Sequence, residues 1–377
     1  MKARLASIDV LRGLVMVLMA LDHARDFFTS FDIDPTDLKT TTVPLFLTRF
    51  VTHYCAPVFI FLAGTSAYLS RANGKTLGAL SRLLVTRGLF LVVLELSVVR
   101  FCWLFNVDYR LTFLQVIWVI GWSMVALAGL IHLPMRELVG MSVLIILGHN
   151  VLDHVHASNF GTLGPLWYVL HEQNWQWEPL KGHRVAIMYP LIPWVFVMTL
   201  GYACGVWIEK PREERRRALV YSGALLTAGF FVVRGANLYG DPHAWSVQKS
   251  SVFTVLSFFN VEKYPPSLTY LLITLGPALL FLGLFDPKNG LFERALTVFG
   301  RVPLFYYVFH LFVLNALALG IYLARTGHRP PAIGYEHRWS LAAVYAVWIS
   351  VVGALYPLCR WYGRKKGQGK SIIWSYI

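Results

Sequence analysis

Runs of apolar residues long enough to cross a lipid bilayer recur from one end of this 377-residue chain to the other. A spanning helix needs about 20 such residues, because the hydrocarbon layer is about 30 Å thick and each helical residue rises about 1.5 Å. The runs fall near residues 8–26, 44–69, 86–105, 112–131, 138–154, 187–208, 218–236, 266–285, 299–323 and 339–360. Composition agrees: 56% of the residues are hydrophobic and only 14% are charged, outside the usual range of soluble domains. The predicted fold class is therefore all-α, a polytopic transmembrane helical bundle of about ten spans, with residues 1–365 forming one domain and 366–377 a short tail. Lys2 and Arg4 precede a first run that holds Asp9 and Arg12 and lacks a small-x-small cleavage site, so it reads as a retained span and not as a signal peptide.

The net charge of +14 does not point to nucleic acid, because the basic residues cluster between apolar runs instead of along one soluble face. Alternating the runs places Lys2 and Arg4, then Arg71, Lys75, Arg82 and Arg87, then Arg136, Lys210 to Arg217, Lys288, Arg294 and Arg360 to Lys370 on one side. The positive-inside rule makes that side cytoplasmic, with both termini there. The other side receives the longer segments 27–43, 155–186, 237–265 and 325–338, which carry Trp175, Trp177 and Trp245. Loops of that length usually serve function or cap a cavity. Cys55, Cys102, Cys204 and Cys359 lack metal-ligand spacing and read as small core residues.

Ionisable side chains inside membrane runs are costly and mark functional cavities by default. The first run, SIDVLRGLVMVLMALDHARDFF, carries Arg12 and His23. Eleven residues at about 100° each return the pair to within roughly 20° of one face, about 16 Å apart along the axis. A cation near the inner end and an imidazole near the outer end suit a substrate threaded across the membrane, one holding an anionic or carbonyl group and the other handling protons. The plainer alternative pairs Arg12 with Asp9 and gives His23 to Asp22 or to water.

In the second run Arg49 and His53 share a face, and Pro57 one turn further is placed to bend the helix. The third carries Glu95 and Arg100, read as a structural pair. The fourth opens with Gln115 and Trp118. The ninth reads GRVPLFYYVFHLFVLN, with Arg301 at its start and His310 roughly 13 Å deeper by helical rise. The stretch LGHNVLDHVH gathers His149, Asn150, Asp153, His154 and His156; three His and one Asp within helical reach resemble a metal site, but they lie in a loop mouth without residues to orient them as ligands, and no metal is expected.

The Arg12-x10-His23 spacing within SIDVLRG and its continuation resembles the membrane acyltransferases that carry an Arg-x10-His signature in their first span. THYCAPVFIFLAG and GRVPLFYYVFH narrow the resemblance to bacterial proteins similar to the catalytic domain of heparan-alpha-glucosaminide N-acetyltransferase. It implies acyl transfer across the membrane, from cytoplasmic acyl-CoA, most simply acetyl-CoA, to a hydroxyl or amine of a carbohydrate or glycolipid on the far side of a bacterial inner membrane. On that likeness His23 is the base or acyl carrier, with Asp22 orienting it and His53 beside it. Arg12 holds the acyl-CoA, and Arg71, Arg82, Arg87 and Arg301 are candidates for its phosphates. Arg49, His310, Gln115 and Trp118 line the acceptor site. The lysosomal branch assigns catalysis to a histidine after its first span; Ala24 to Thr52 contains none, which leaves His23 and His53.

Two other classes compete. A proton-coupled transporter would use the same His and Glu residues as a relay, and a membrane scaffold would use none of them. The sequence leaves the acceptor open, and a homodimer as well.

Overall fold

The first apolar run folds as one helix, α1 (Ala6–Phe28), stopped at Thr29, whose backbone N–H and hydroxyl both donate to the Arg25 carbonyl at 2.9 and 2.8 Å. The computed structural model describes residues 5–29, 34–288, 290–328, 330, 335 and 337–368. Lys2, Arg4 and Lys370, which carry part of the orientation argument, lie outside the described residues, as does most of the tail 366–377. After α1 come α2 (Val43–Thr52), α3 (Cys55–Ala72), α4 (Leu77–Leu94), α5 (Arg100–Leu104), α6 (Val116–Leu130), α7 (Met135–Gly148) and α8 (Gly164–Leu170). The second half holds α9 (Trp194–Ile208), α10 (Arg212–Ala236), α11 (Ser251–Phe259), α12 (Leu268–Leu284), α13 (Leu291–Arg301), α14 (Pro303–Thr326) and α15 (Leu341–Gln368).

Among the described residues, six stretches are helices long and apolar enough to cross a membrane: Val43–Ala72, Leu77–Leu104, Met135–His154, Arg212–Ala236, Pro303–Thr326 and Leu341–Lys366. Helices α6, α9 and α12 are apolar but shorter. Helix α1 carries Asp9, Arg12, Asp22, Arg25 and Asp26, too many charges to qualify by composition, and it hides them by burial within the bundle.

The all-α expectation needs one correction. Three strands, β1 (Leu111–Leu114), β2 (Asn174–Leu180) and β3 (His183–Ile187), form a small sheet in the order β1-β3-β2, with β1 parallel and β2 antiparallel to β3. The fourth and sixth apolar runs therefore begin as strands, and their helices start only at Val116 and Trp194. A short apolar run fits a strand as well as a helix, and here cross-strand pairing decides.

Two more breaks follow from proline. Pro303 opens α14 at its first helical position, where its missing N–H is harmless, and this divides the ninth run into α13 and α14. Pro57 in α3 cannot donate to the His53 carbonyl four residues back. That carbonyl instead accepts from the Tyr270 hydroxyl of α12 at 2.7 Å, and the run breaks into α2 and α3 at this point.

Helix α1 is the hub, packed by α13, α14, α15 and α3. At its crossing with α13 the backbones nearly touch: a Cβ built on Gly13 would meet the Leu296 carbonyl oxygen at 1.9 Å, and one on Gly300 the Asp9 carbonyl oxygen at 1.9 Å. Only glycine permits that approach, the membrane form of small-residue packing. The four cysteines are free and buried.

Candidate functional site

The last turns of α1 present Asp22, His23, Arg25 and Asp26 to the bundle interior. Asp22 accepts two hydrogen bonds from Arg49 of α2 at 2.9 and 2.8 Å and one from the Thr52 hydroxyl at 2.9 Å, and pairs with Arg25 at 2.7 Å. Arg25 also holds Asp26 at 2.7 Å. This corrects the expectation that Asp22 orients His23: its oxygens are committed to two guanidiniums and a hydroxyl.

His23 is oriented by another imidazole. Its Nδ1 lies 2.7 Å from Nε2 of His310 on α14, the rings stacked 6° from parallel, and His310 Nδ1 lies 2.8 Å from the Tyr306 carbonyl. A carbonyl only accepts, so His310 carries its proton on Nδ1 and, when neutral, offers a lone pair at Nε2. His23 must then donate from Nδ1, which leaves the lone pair of a neutral His23 on Nε2. The pair thus fixes the tautomer of His23, as a carboxylate does in other bases.

Two cavities of about 320 Å³ each meet along α1. One, here the His23 cavity, is lined by His23, Asp22, Arg49, Gln115, Trp103 and Lys263 among others. The Arg12 cavity is lined by Arg12, Arg87, Arg301, Lys366, Ser66 and Tyr307 among others. Met19, Phe59 and Val116 belong to both walls. A polar vestibule of about 490 Å³, lined by Arg49, His53, Trp175, His243, Glu262 and Lys263, adjoins the His23 cavity.

Arg12 donates to the Ser66 hydroxyl at 3.0 Å and the Gly300 carbonyl at 3.4 Å, with Asp9 at 3.5 Å; Arg301 reaches the other oxygen of Asp9 at 3.7 Å. Asp9 therefore sits between the two cations that span α1 and α13. Arg87 joins them, whereas Arg71 donates to the Tyr202 hydroxyl at 3.2 Å and Arg82 is exposed, and neither lines the cavity. Gln115 lines the His23 cavity; Trp118 is buried away from it. His53 lines only the vestibule, its ring edge-on to Tyr270.

Glu95 and Arg100 do not pair. Arg100 donates to the carbonyls of Leu111 and Asn106 and to the Asn106 side chain, each at 2.8 Å, and stacks over Tyr109. The guanidinium of Arg100 is taken up by the 106–111 segment, which leaves none of its nitrogens for Glu95. Glu95 is buried beside the first backbone N–H groups of α6. In the His149 segment, the imidazole nitrogens face the carbonyls of Ile146 and Pro266, and Asn150 bonds Asp153 and the Leu268 N–H. Among the described residues no group of three His, Cys, Asp or Glu is placed to hold a metal ion. Trp175 lines the His23 cavity and the vestibule, whereas Trp245 donates to the Arg234 carbonyl at 2.9 Å and fastens a loop.

Several lining residues escaped the sequence reading. Lys263 is 6% exposed, its ammonium 4.9 Å from the Tyr264 ring and 5.9 Å from Tyr189, and no carboxylate among the described residues lies within ion-pair range of it. Only the length of the 237–265 segment hinted at it. At the vestibule rim, a hydrogen bond to Glu262 and its charge raise the His243 imidazole above its usual value.

No curated protein matches the chain. A family model, Heparan-alpha-glucosaminide N-acetyltransferase, catalytic, matches residues 4–237. That region carries Arg12, Asp22, His23, Arg49 and Arg87, with Gln115 and Trp103. With six helices fit to cross a bilayer and a family match over more than half its length, the chain belongs to the heparan-alpha-glucosaminide N-acetyltransferase catalytic family, an acetyltransferase-type integral membrane protein.

Proposed function

We propose that the protein transfers an acetyl group from acetyl-CoA, entering the Arg12 cavity from the cytoplasm, to a hydroxyl or amine of a carbohydrate or glycolipid in the His23 cavity, across a bacterial inner membrane. The observation that carries this reading is the shared wall: two cavities of ligand size, one lined by four cations and one by a tautomer-fixed imidazole, have Met19, Phe59 and Val116 in common. Arg12, Arg87, Arg301 and Lys366 suit the phosphates of the donor. The slender arm of the donor would bring the thioester to the wall, where an apolar acetyl group needs no charged path.

The acceptor O–H or N–H gives its proton to His23 Nε2 as its lone pair attacks the thioester carbonyl carbon, whose π pair moves onto oxygen. The carbonyl then reforms, the C–S bond breaks with its electron pair on sulfur, and the proton returns from His23 to give the free thiol. One acetylated acceptor and one thiol leave, with no net change in protons. Direct attack with His23 as base is simpler than an acyl-imidazole step.

The test uses purified protein in lipid nanodiscs, supplied with radiolabelled acetyl-CoA and a panel of amino and hydroxyl sugars. Acceptor-dependent thiol release is expected, lowered about 10²- to 10⁴-fold in His23→Ala. Full activity of that variant overturns the role of His23. Arg12→Ala is expected to raise KM for acetyl-CoA more than it lowers kcat.

A further inference from the structure

Buried hydrogen-bond donors without partners are rare in folded proteins, and each calls for a water, a ligand or a catalytic role. Two of them meet at the wall between the cavities. The indole N–H of Trp103 and the hydroxyl of Tyr307 are buried and have no hydrogen-bond partner of acceptable geometry. Trp103 lines the His23 cavity and Tyr307 lines the Arg12 cavity. Both rings stand edge-on to the His23 imidazole, with centroids 5.0 Å and 6.0 Å away.

Partnerless groups occur elsewhere too, Tyr306 and Trp194 among them, but neither of these lines the two cavities. What distinguishes Trp103 and Tyr307 is that both flank one imidazole, one from each side of the wall. Three helical segments bring them there: α1 supplies His23, α5 supplies Trp103 and α14 supplies Tyr307. Helix α14 also carries His310 one turn beyond Tyr307, so the group that fixes the base and one of the free donors ride on the same rigid element.

We infer that Trp103 and Tyr307 form an oxyanion hole for the thioester carbonyl, completing the site whose base is His23. The inference rests on the acetyl-transfer reading above. When the acceptor attacks, the π pair of the carbonyl settles on oxygen, and the Trp103 N–H and Tyr307 O–H donate to that oxygen without giving up their protons. When the carbonyl reforms, the pair returns and the sulfur leaves. Fixed donors in a site closed to water stabilise such charge without reorganising, which is how this device raises kcat.

The experiment compares wild type with Tyr307→Phe and Trp103→Phe for steady-state acetyl transfer, for equilibrium binding of acetyl-CoA and for thermal unfolding in nanodiscs. Tyr307→Phe keeps the ring and removes the donor; Trp103→Phe removes the donor and also part of the ring system, which the binding and unfolding measurements control for. A fall in kcat of about 10²-fold, with acetyl-CoA affinity and unfolding temperature within error of wild type, supports the hole. A kcat within threefold of wild type in both variants overturns it, and so does a loss that tracks weaker binding or lower stability. A wild type that binds acetyl-CoA but transfers nothing to any acceptor overturns the acetyl-transfer reading itself, a result seen before either variant is assayed.

Discussion

His23 Nδ1 and His310 Nε2 lie 2.7 Å apart although 287 residues separate them in the chain. Because the Tyr306 carbonyl accepts a hydrogen bond from His310 Nδ1–H, the pair has one direction, and the free lone pair of a neutral His23, a residue that lines the cavity, sits on Nε2. His310→Phe removes the acceptor and releases His23 to either tautomer. Acetyl transfer is expected to fall about 10- to 100-fold, chiefly in kcat. His310→Gln keeps an amide oxygen to accept from Nδ1 and is expected to recover part of the loss. Equal activity in the two variants would remove the positioning role.

Asp22 faces two buried guanidiniums, those of Arg25 and Arg49. Asp22→Asn removes the charge that lets them share one corner and leaves both cations buried with less compensation, which typically costs about 3–5 kcal/mol. A lower unfolding temperature in nanodiscs is expected. Asp22→Asn combined with Arg49→Met restores the charge balance and is expected to recover stability, which differential scanning calorimetry would read.

The α1–α13 crossing depends on Gly13 and Gly300. Gly300→Val pushes a branched side chain into the Asp9 carbonyl and must separate the helices, at a cost of about 1–3 kcal/mol or more. The same separation draws Gly300 away from the Arg12 guanidinium it receives, so KM for acetyl-CoA is expected to rise with the loss of stability. Unchanged KM in a folded Gly300→Val protein would disconnect the crossing from the site.

The His243–Glu262 contact at the vestibule carries a pH signature. Its hydrogen bond and charge raise the folded-state value of the imidazole, so the contact's contribution is fully present below about 6.5 and is lost as pH rises through the folded value. His243 is largely exposed, so the effect is small, below about 1 kcal/mol. Hydrogen-exchange protection factors in residues 237–265, corrected for the intrinsic pH dependence of exchange, are expected to fall between pH 6 and 8 in wild type and to stay flat in His243→Gln.

The mostly helical character and the presence of several membrane-length helices were legible because bilayer thickness imposes a length that composition alone reveals, whereas the count of about ten spans met six such helices among the described residues. The helix breaks at His53 and at Pro303 were only partly legible: Pro57 signals a bend, but where the freed His53 carbonyl finds a donor depends on Tyr270, more than two hundred residues away. The strands were missed because Leu111 to Leu114 read as the start of a helix and His183 to Ala186 fell in an outer loop, and only their mutual pairing makes them a sheet. At the site, Arg12 and His23 follow from helical phase on one element. The partners that define their chemistry, His310 for one and Ser66 and Gly300 for the other, come from other helices, and no spacing rule reports them. Asp22 beside His23 in sequence misled for the same reason: adjacent residues on a helix point about 100° apart.

On the proposed transfer, with the two cavities opening to opposite faces of the membrane, Met19, Phe59 and Val116 also set an electrical property of the bundle. Where polar cavities approach from both ends of a helix, the insulating layer narrows from about 30 Å of hydrocarbon to the width of a few side chains, and the transmembrane voltage drops across that width. An acyl group crosses such a pinch without feeling the field, while a hydrated proton meets an apolar gate. Met19→Gly is accordingly expected to make proteoliposomes leak protons under an imposed potential, read with an internal pH dye. The thinness that lets carbon chemistry pass is then the same thinness the cell's energised membrane has to defend.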